Sequence, residues 1–293
     1  FNYELQFITA DRIVVDPKVK EFQFKFKVLD KTKDACAIFV VMDRAGNYTI
    51  DSVCYTVDKL ALNPDPVQFG KVRLGTTKEM DVQLKNESSN EIKIKEIKTR
   101  FGKEFKIISA DTTPLKAGES RQVKIAYTPI REMPDENTFD IDSLLAKTEC
   151  AEFKWPLFGQ GVRPCIAVEP QWNAGRVPIN QKACKDDNAA NGLRISNTGT
   201  DTLTITGLNG VRLPFTVSTV TSPAFPFKIA PKSSVFFNSI CFNPTAEKSD
   251  TIIVAFASDS YGDDCTPNST WFGTGIQPGL IITDQDWGKR RQG

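Results

Sequence analysis

The 293-residue chain contains no histidine. That one absence removes serine–histidine and cysteine–histidine nucleophilic catalysis, imidazole general bases and imidazole metal ligands together. The seven cysteines form no Cys-x-x-Cys pair, so neither a zinc ribbon nor a thioredoxin-type redox motif is present. Long hydrophobic runs are missing as well. The longest, such as Ala37–Met42 and Thr251–Ala257, have the length of a strand, far short of the roughly 20 residues needed to span a bilayer. No stretch of about ten residues or more carries a helical period; the nearest is the short Ile141–Lys147. Neither sign of charge is in excess, with 37 Lys+Arg against 36 Asp+Glu. Nucleic acid and anionic membrane surfaces are therefore not expected partners. Phe1-Asn2-Tyr3-Glu4 holds no initiating Met, and no basic and apolar leader follows, so the natural N-terminus is expected upstream.

What is present is strand periodicity. Phe22-Gln23-Phe24-Lys25-Phe26-Lys27-Val28 alternates apolar and polar without a break, as do Val82-Gln83-Leu84-Lys85, Ile92-Lys93-Ile94-Lys95, Leu203-Thr204-Ile205-Thr206 and Phe215-Thr216-Val217. Val123-Lys124-Ile125-Ala126-Tyr127 continues the theme. Period-two alternation means one buried and one wetted face, as in antiparallel sandwiches. Polar turn clusters separate the runs: Lys85–Asn90, Lys116-Ala117-Gly118-Glu119 and Asn197-Thr198-Gly199-Thr200. The pattern predicts an all-β chain built of sandwiches.

The chain also repeats itself. Phe69-Gly70-Lys71-Val72-Arg73-Leu74-Gly75 returns as Trp287-Gly288-Lys289-Arg290-Arg291-Gln292-Gly293, with a looser middle copy from Trp172 to Val177. Phe158-Gly159-Gln160-Gly161 matches Phe272-Gly273-Thr274-Gly275, and Tyr127-Thr128-Pro129 matches Phe242-Asn243-Pro244. The interval from Pro129 to Cys150 equals that from Pro244 to Cys265. A period of about a hundred residues is one immunoglobulin-like sandwich. Four pieces are expected: residues 1–58, one such domain or the C-terminal part of one; 59–163 and 164–277, two full copies; and 278–293, the start of a truncated copy. Proline marks the expected joins at Asn63-Pro64-Asp65-Pro66, Arg163-Pro164 and Gln277-Pro278. Short joins of this kind predict stiff, extended neighbours.

The order of these motifs resembles a known family. An aromatic-Gly-x-Val start is followed by Leu-x-Asn, a Phe-led strand, a Gly turn, an (Ile/Val)-x-(Phe/Tyr)-x-Pro strand and a closing Gly-x-Gly. This is similar to the ASH or hydin-type immunoglobulin-like domain, and most of all to the repeats of the bacterial surface proteins called choice-of-anchor D. The matching residues are Phe69, Gly70, Val72, Leu84, Asn86, Phe105, Gly118, Tyr127, Pro129, Gly159 and Gly161. In the second copy they are Trp172, Ile195, Asn197, Gly199, Phe215, Phe242, Pro244, Gly273 and Gly275. That copy departs from the pattern at Asn173-Ala174 and by the extra residues Lys185–Gly192. In the first piece, Asp43-Arg44-Ala45-Gly46-Asn47 resembles the hairpin of bacterial extracellular modules. The resemblance implies long secreted or surface-anchored proteins, although the ciliary hydin-type relatives are cytoplasmic.

Cysteines are the candidate site residues. If Arg44-Ala45-Gly46 is a three-residue hairpin loop with Gly46 in the left-handed region, Asp43 faces Asn47. Counting outward by twos sets Cys36 opposite Cys54 in a non-hydrogen-bonded pair, with Cα atoms about 4.5 Å apart, a span that a disulfide accepts. The surface-protein repeats commonly carry a Cys before the second strand and another before the closing strand. That likeness implies a Cys184–Cys265 bridge. Cys150–Cys165 across the domain join is a further candidate pair. Cys241 sits between Ile240 and Phe242 in a strand and should face away from them, which makes it a candidate for the odd thiol. Dispersed cysteines without metal spacing fit an oxidising compartment. The acidic groups Asp135-Glu136 with Asp140 and Asp142, Asp186-Asp187-Asn188, and Asp259 with Asp263-Asp264 read as solvated loops, since none has calcium-loop spacing. Phe69, Trp172 and Trp287 read as core plugs, because each copy needs the same one; a carbohydrate-stacking platform is the bolder alternative. The sequons begin at Asn47, Asn86 and Asn268.

The resulting expectation is a non-enzymatic chain without catalytic residues, metal or cofactor. It would be a structural or spacer segment of a large secreted or cell-surface protein, with a filament, sheath or stalk as its setting. Its expected partners are other protein domains or copies of itself; a glycan ligand has no sequence support. An adhesin module, an appendage of a secreted hydrolase, a periplasmic location and a cytoplasmic ciliary scaffold remain as alternatives.

Overall fold

A computed structural model describes residues 5–7, 26–28, 34–42, 45–149, 151–185, 192–218, 223–238 and 240–277. Every regular element among them is a strand. The expected truncated copy at 278–293, including Trp287, lies outside the described residues. So do Cys150, Asp43, Arg44 and the cluster Asp186-Asp187-Asn188. The chain divides into two compact units, Phe1–Ile130 with Phe139–Gln160, and Arg131–Thr138 with Gly161–Gly293.

Strands β1 (Leu5–Phe7) and β2 (Phe26–Val28) pair antiparallel. β3 (Ala35–Met42) and β4 (Tyr48–Tyr55) form a hairpin whose ladder runs from Ala35↔Tyr55 to Met42↔Tyr48. Gly46 in its turn has φ +91°, a conformation that costs glycine nothing.

The first sandwich uses β5 (Leu60–Asn63), β6 (Val67–Arg73), β7 (Lys78–Asn86), β8 (Ile94–Thr99), β9 (Phe105–Ser109), β10 (Ser120–Tyr127), β11 (Asp140–Thr148) and β12 (Glu152–Val162). One sheet has the order β5-β7-β10-β9 and the other β6-β12-β11-β8. Alternation decides the faces: Val82 and Leu84 of β7 and Val123, Ile125 and Tyr127 of β10 are buried. Asn63-Pro64-Asp65-Pro66 falls inside this sandwich, carrying the chain from β5 in one sheet to β6 in the other. Proline cannot donate to a ladder, so it suits the point where the chain changes sheets. Ile141–Lys147 belongs to β11. Flanked on both sides by β12 and β8, this strand buries successive residues and so lacks clean alternation.

The second sandwich uses β13 (Ile166–Val168), β14 (Gln171–Pro178), β15 (Ala183–Lys185), β16 (Leu193–Asn197), β17 (Leu203–Asn209), β18 (Phe215–Val217), β19 (Phe227–Ile229), β20 (Ser234–Phe237), β21 (Ile240–Phe242), β22 (Ser249–Ser258) and β23 (Asn268–Ile276). Its sheets are ordered β13-β16-β20, β14-β23-β22-β17-β19 and β15-β21-β18. The departure at Asn173-Ala174 is a bulge. Asn173 pairs with Phe272 and Arg176 with Thr274, so β14 carries one residue more than β23 there. Gly175, at φ +77°, resumes the part that Gly70 plays at φ +67°.

The residues that recur in sequence recur in the core. Phe69, Phe105 and Tyr127 meet with ring centroids 4.7–5.6 Å apart; Phe215 lies 6.0 Å from Trp172 and 4.9 Å from Phe242. Buried Asn86 donates to the carbonyls of Asn90 (2.7 Å) and Leu115 (2.8 Å), and accepts from Ser88 N (2.9 Å). Asn197 likewise donates to Asp201 O (2.7 Å) and Ile229 O (3.1 Å), and accepts from Gly199 N (3.0 Å). Each Asn satisfies backbone groups that a loop would otherwise leave unpaired in the interior. The closing glycines face aromatic rings. A Cβ on Gly159 would lie 2.4 Å from the Tyr127 ring, and one on Gly273 2.8 Å from that of Phe242. Gly159→Ala is therefore expected to cost about 1–3 kcal/mol through overpacking, read as a lower urea midpoint at unchanged slope.

Candidate functional site

The structure joins Cys36 to Cys54 across the β3–β4 hairpin, with Cα atoms 4.0 Å apart. It pairs the others differently from expectation. Cys184 bonds Cys241 and Cys165 bonds Cys265, so the Cys184–Cys265 and Cys150–Cys165 pairings are corrected, and Cys241 is not the odd thiol. The reason lies in the ladders. Ile240 and Phe242 point into the core, which turns Cys241 outward as alternation requires, directly opposite Cys184 on β15. In the first sandwich the corresponding β7–β10 position is Glu79↔Ala126, so no local repeat announced the bridge. Cys265 precedes Thr266, which pairs with Ala167, and this brings it beside Cys165 at a Cα distance of 5.3 Å.

The aromatic plugs are unavailable to a ligand: Phe69, Trp155, Trp172 and Trp271 are all buried. Asn86 is buried too, so that sequon cannot carry a glycan on the folded chain. Several acidic residues expected in solvated loops are interior. Asp140 accepts the Tyr127 hydroxyl at 2.7 Å, and Asp142 accepts the N–H groups of Phe101, Gly102 and Ser143. Asp135 closes a local turn onto Asn137 N, and Asp259 accepts Thr204 N. Among the described residues the one grouping with metal-ligand proximity is Cys165, Asp264 and Cys265. Its sulfurs are bonded to each other and its carboxylate is held by Arg163, so it has no thiolate to offer a metal.

Arg163 is the focal residue of the second unit. Its Nε donates to Glu132 Oε2 at 2.9 Å, its Nη2 to Asp264 Oδ2 at 2.6 Å and its Nη1 to Tyr261 O at 3.0 Å. Its own carbonyl accepts from Thr200 and Asp201. Two glycines make room: a Cβ on Gly199 would meet the Arg163 carbonyl at 2.2 Å, and one on Gly262 its guanidinium at 2.1 Å. Hydrogen bonding from Arg163 pulls the Asp264 carboxyl down to about 2. Asp264 and then Glu132 push the guanidinium pKa upward. The bidentate fork thus ties the segments around residues 132, 163, 200 and 262 at one end of the sandwich, beside the Cys165–Cys265 bridge. Sequence reading missed it because its carboxylates are far from Arg163 along the chain; the only local mark was Pro164.

Two surfaces among the described residues bear on binding. A groove of about 730 Å³ is lined by Glu169, Lys185, Arg194, Ser196, Thr198 and Phe236, but Glu169 there is engaged by Lys185 at 2.7 Å and by the Arg194 amide. The outward face of β3–β4 is apolar and exposed. No described helix is long and apolar enough to cross a membrane.

The family model described as Cep192 domain 4 matches residues 57–162. No curated protein matches the chain. Among solved structures, the protocadherin gamma B7 extracellular cadherin domains 1–4 share 8% identity over 79% of this chain and 55% of that one, with a TM-score of 0.41. The Pseudomonas aeruginosa CupB2 chaperone shares 11% over 74% and 100%, at 0.28. The secreted serine protease VesC of Vibrio cholerae shares 12% over 62% and 45%, at 0.29. At scores this low, none of the three bears on what the chain does. The chain is a tandem of immunoglobulin-like β-sandwiches.

Asp264→Asn should lower the melting temperature at neutral pH. A carboxyl depressed from 3.8 to about 2 stabilises the fold above its unfolded value and loses that contribution as pH falls through about 2. The gap between wild type and Asp264→Asn, followed by circular dichroism, should therefore close between pH 4 and about 2.

Proposed function

We propose that the chain is a structural spacer segment of a larger secreted or cell-surface protein. Its modules would be of the ASH type found in choice-of-anchor D proteins, with limits near 59–163 and 164–277. The observation that carries this reading is where the repeated residues sit. The aromatic triads, the two buried asparagines and the closing glycines all serve the interior, so what the repeat preserves is a rigid module rather than a reactive surface. Three disulfides in a chain without metal-type cysteine spacing support an oxidising setting, outside the cell or in the periplasm. The absence of histidine and the engaged state of the interior carboxylates support a non-catalytic role.

Thiol titration of the unreduced, denatured protein from its source cells tests this reading. Within these 293 residues three bridges occupy six of the seven cysteines, so one of the seven is expected to react. Non-reducing peptide mapping should recover Cys184 with Cys241 and Cys165 with Cys265. Seven free thiols in a cytosolic fraction would replace the extracellular spacer with a cytoplasmic scaffold.

A further inference from the structure

The hairpin β3–β4 has two unlike faces. One buries Ala35 and Ala37 and carries the charged Asp51, with Val41 68% and Val53 50% exposed beside it. The other sets the Cys36–Cys54 bridge, Ile38 with Ser52, Val40 with Ile50, and Met42 with Tyr48 in register. On that face Ile38 is 65% exposed, Val40 56%, Met42 65%, Tyr48 65% and Ile50 59%. Five large apolar side chains thus form one stripe without a charged group, and Ser52 is its only polar side chain apart from the Tyr48 hydroxyl. A contiguous apolar patch of this size on a protein surface is often functional.

We infer that this face packs against the same face of a second copy of the chain. Size is the first argument. The exposed side-chain surface of the stripe is on the order of 500 Å², so two copies face to face would bury roughly 1,000 Å², the threshold for a specific interface. Chemistry is the second. A two-fold interface sets one patch against its own copy, so a patch of a single charge sign repels its partner whereas an uncharged apolar patch is complementary to it. Sheet faces pack about 10 Å apart when inward side chains interdigitate, and β-branched Val40 and Ile50 lie at the centre of the stripe with Met42 and Tyr48 at one end. A two-stranded hairpin is marginal alone, so covering this face also stabilises the element that presents it. The inference names the partner within the structural role proposed above and rests on that role for nothing else.

Sedimentation equilibrium of the full chain over a wide concentration range provides the test. Wild type should show a monomer–dimer equilibrium. Val40→Lys should weaken it at least about tenfold by placing like charges across the dyad, and Val40→Thr, which keeps the β-branch, should weaken it less. Ile253→Lys, at an equally exposed position on β22, should leave it unchanged. A wild-type chain that stays monomeric overturns the proposal. So does a Val40→Lys variant that melts lower at unchanged mass, since the face would then be covered from within its own chain. Loss of dimerisation with one of the seven cysteines free would leave the spacer reading standing and remove only this interface.

Discussion

Each sandwich closes where a glycine of the last strand meets an aromatic ring. Gly159 lies under Tyr127 and Gly273 under Phe242, with too little room at either for even a methyl group. These rings belong to the buried clusters that fill the space between sheets: Phe69 and Phe105 in one, Trp172 and Phe215 in the other. The contact sets how closely the final strand can approach. The two modules handle the polar atoms of their plugs differently. Tyr127 brings a hydroxyl into the core, and buried Asp140 accepts it. Phe242 brings none, while Trp271 in the same cluster donates its indole N–H to Ser269 Oγ. The polar atoms that these rings carry inward are thus matched locally in both, as burial demands.

What could be read from the chain in advance follows from range. Period-two runs such as Val82–Lys85, turns such as Asn197–Thr200 and the repeated Phe-Gly-x-Gly ending depend on neighbours a few positions away, and they became strands, an asparagine-centred turn and the closing strand. The plug residues were legible because they occur twice. Long-range partners left no such trace. Alternation showed that Cys241 turns outward, but only the β15–β21 ladder shows that Cys184 waits there. Arg163 meets Glu132 and Asp264 through three loops whose separations carry no periodic signal. Asp140 and Asp142 looked like members of a solvated acidic loop. They are interior because β11 is a central strand and because the tyrosine hydroxyl and backbone amides nearby need acceptors.

The second sandwich departs from the first mostly by added fastenings. Where the first has Glu79 opposite Ala126, the second has a disulfide. Its entry segment is further held by the Arg163 fork and by the amide of Cys165 donating to Asn197. None of these changes opens a pocket around reactive groups. They reinforce strands whose pairing is short: β15, β18 and β21 have three residues each. Short strands offer few ladder hydrogen bonds, and a covalent tie between two of them limits the ways they can come apart.

The Cys165–Cys265 bridge has a mechanical corollary. It links residues 100 positions apart, near the entrance and the exit of the second module. Tension applied along the backbone would cross from one sulfur to the other and bypass the chain between them. About 350 Å of contour length is thereby withheld from stretching. Under load this module could yield only the segment beyond Cys265, so it would behave as a nearly inextensible link for as long as the sulfurs stay oxidised.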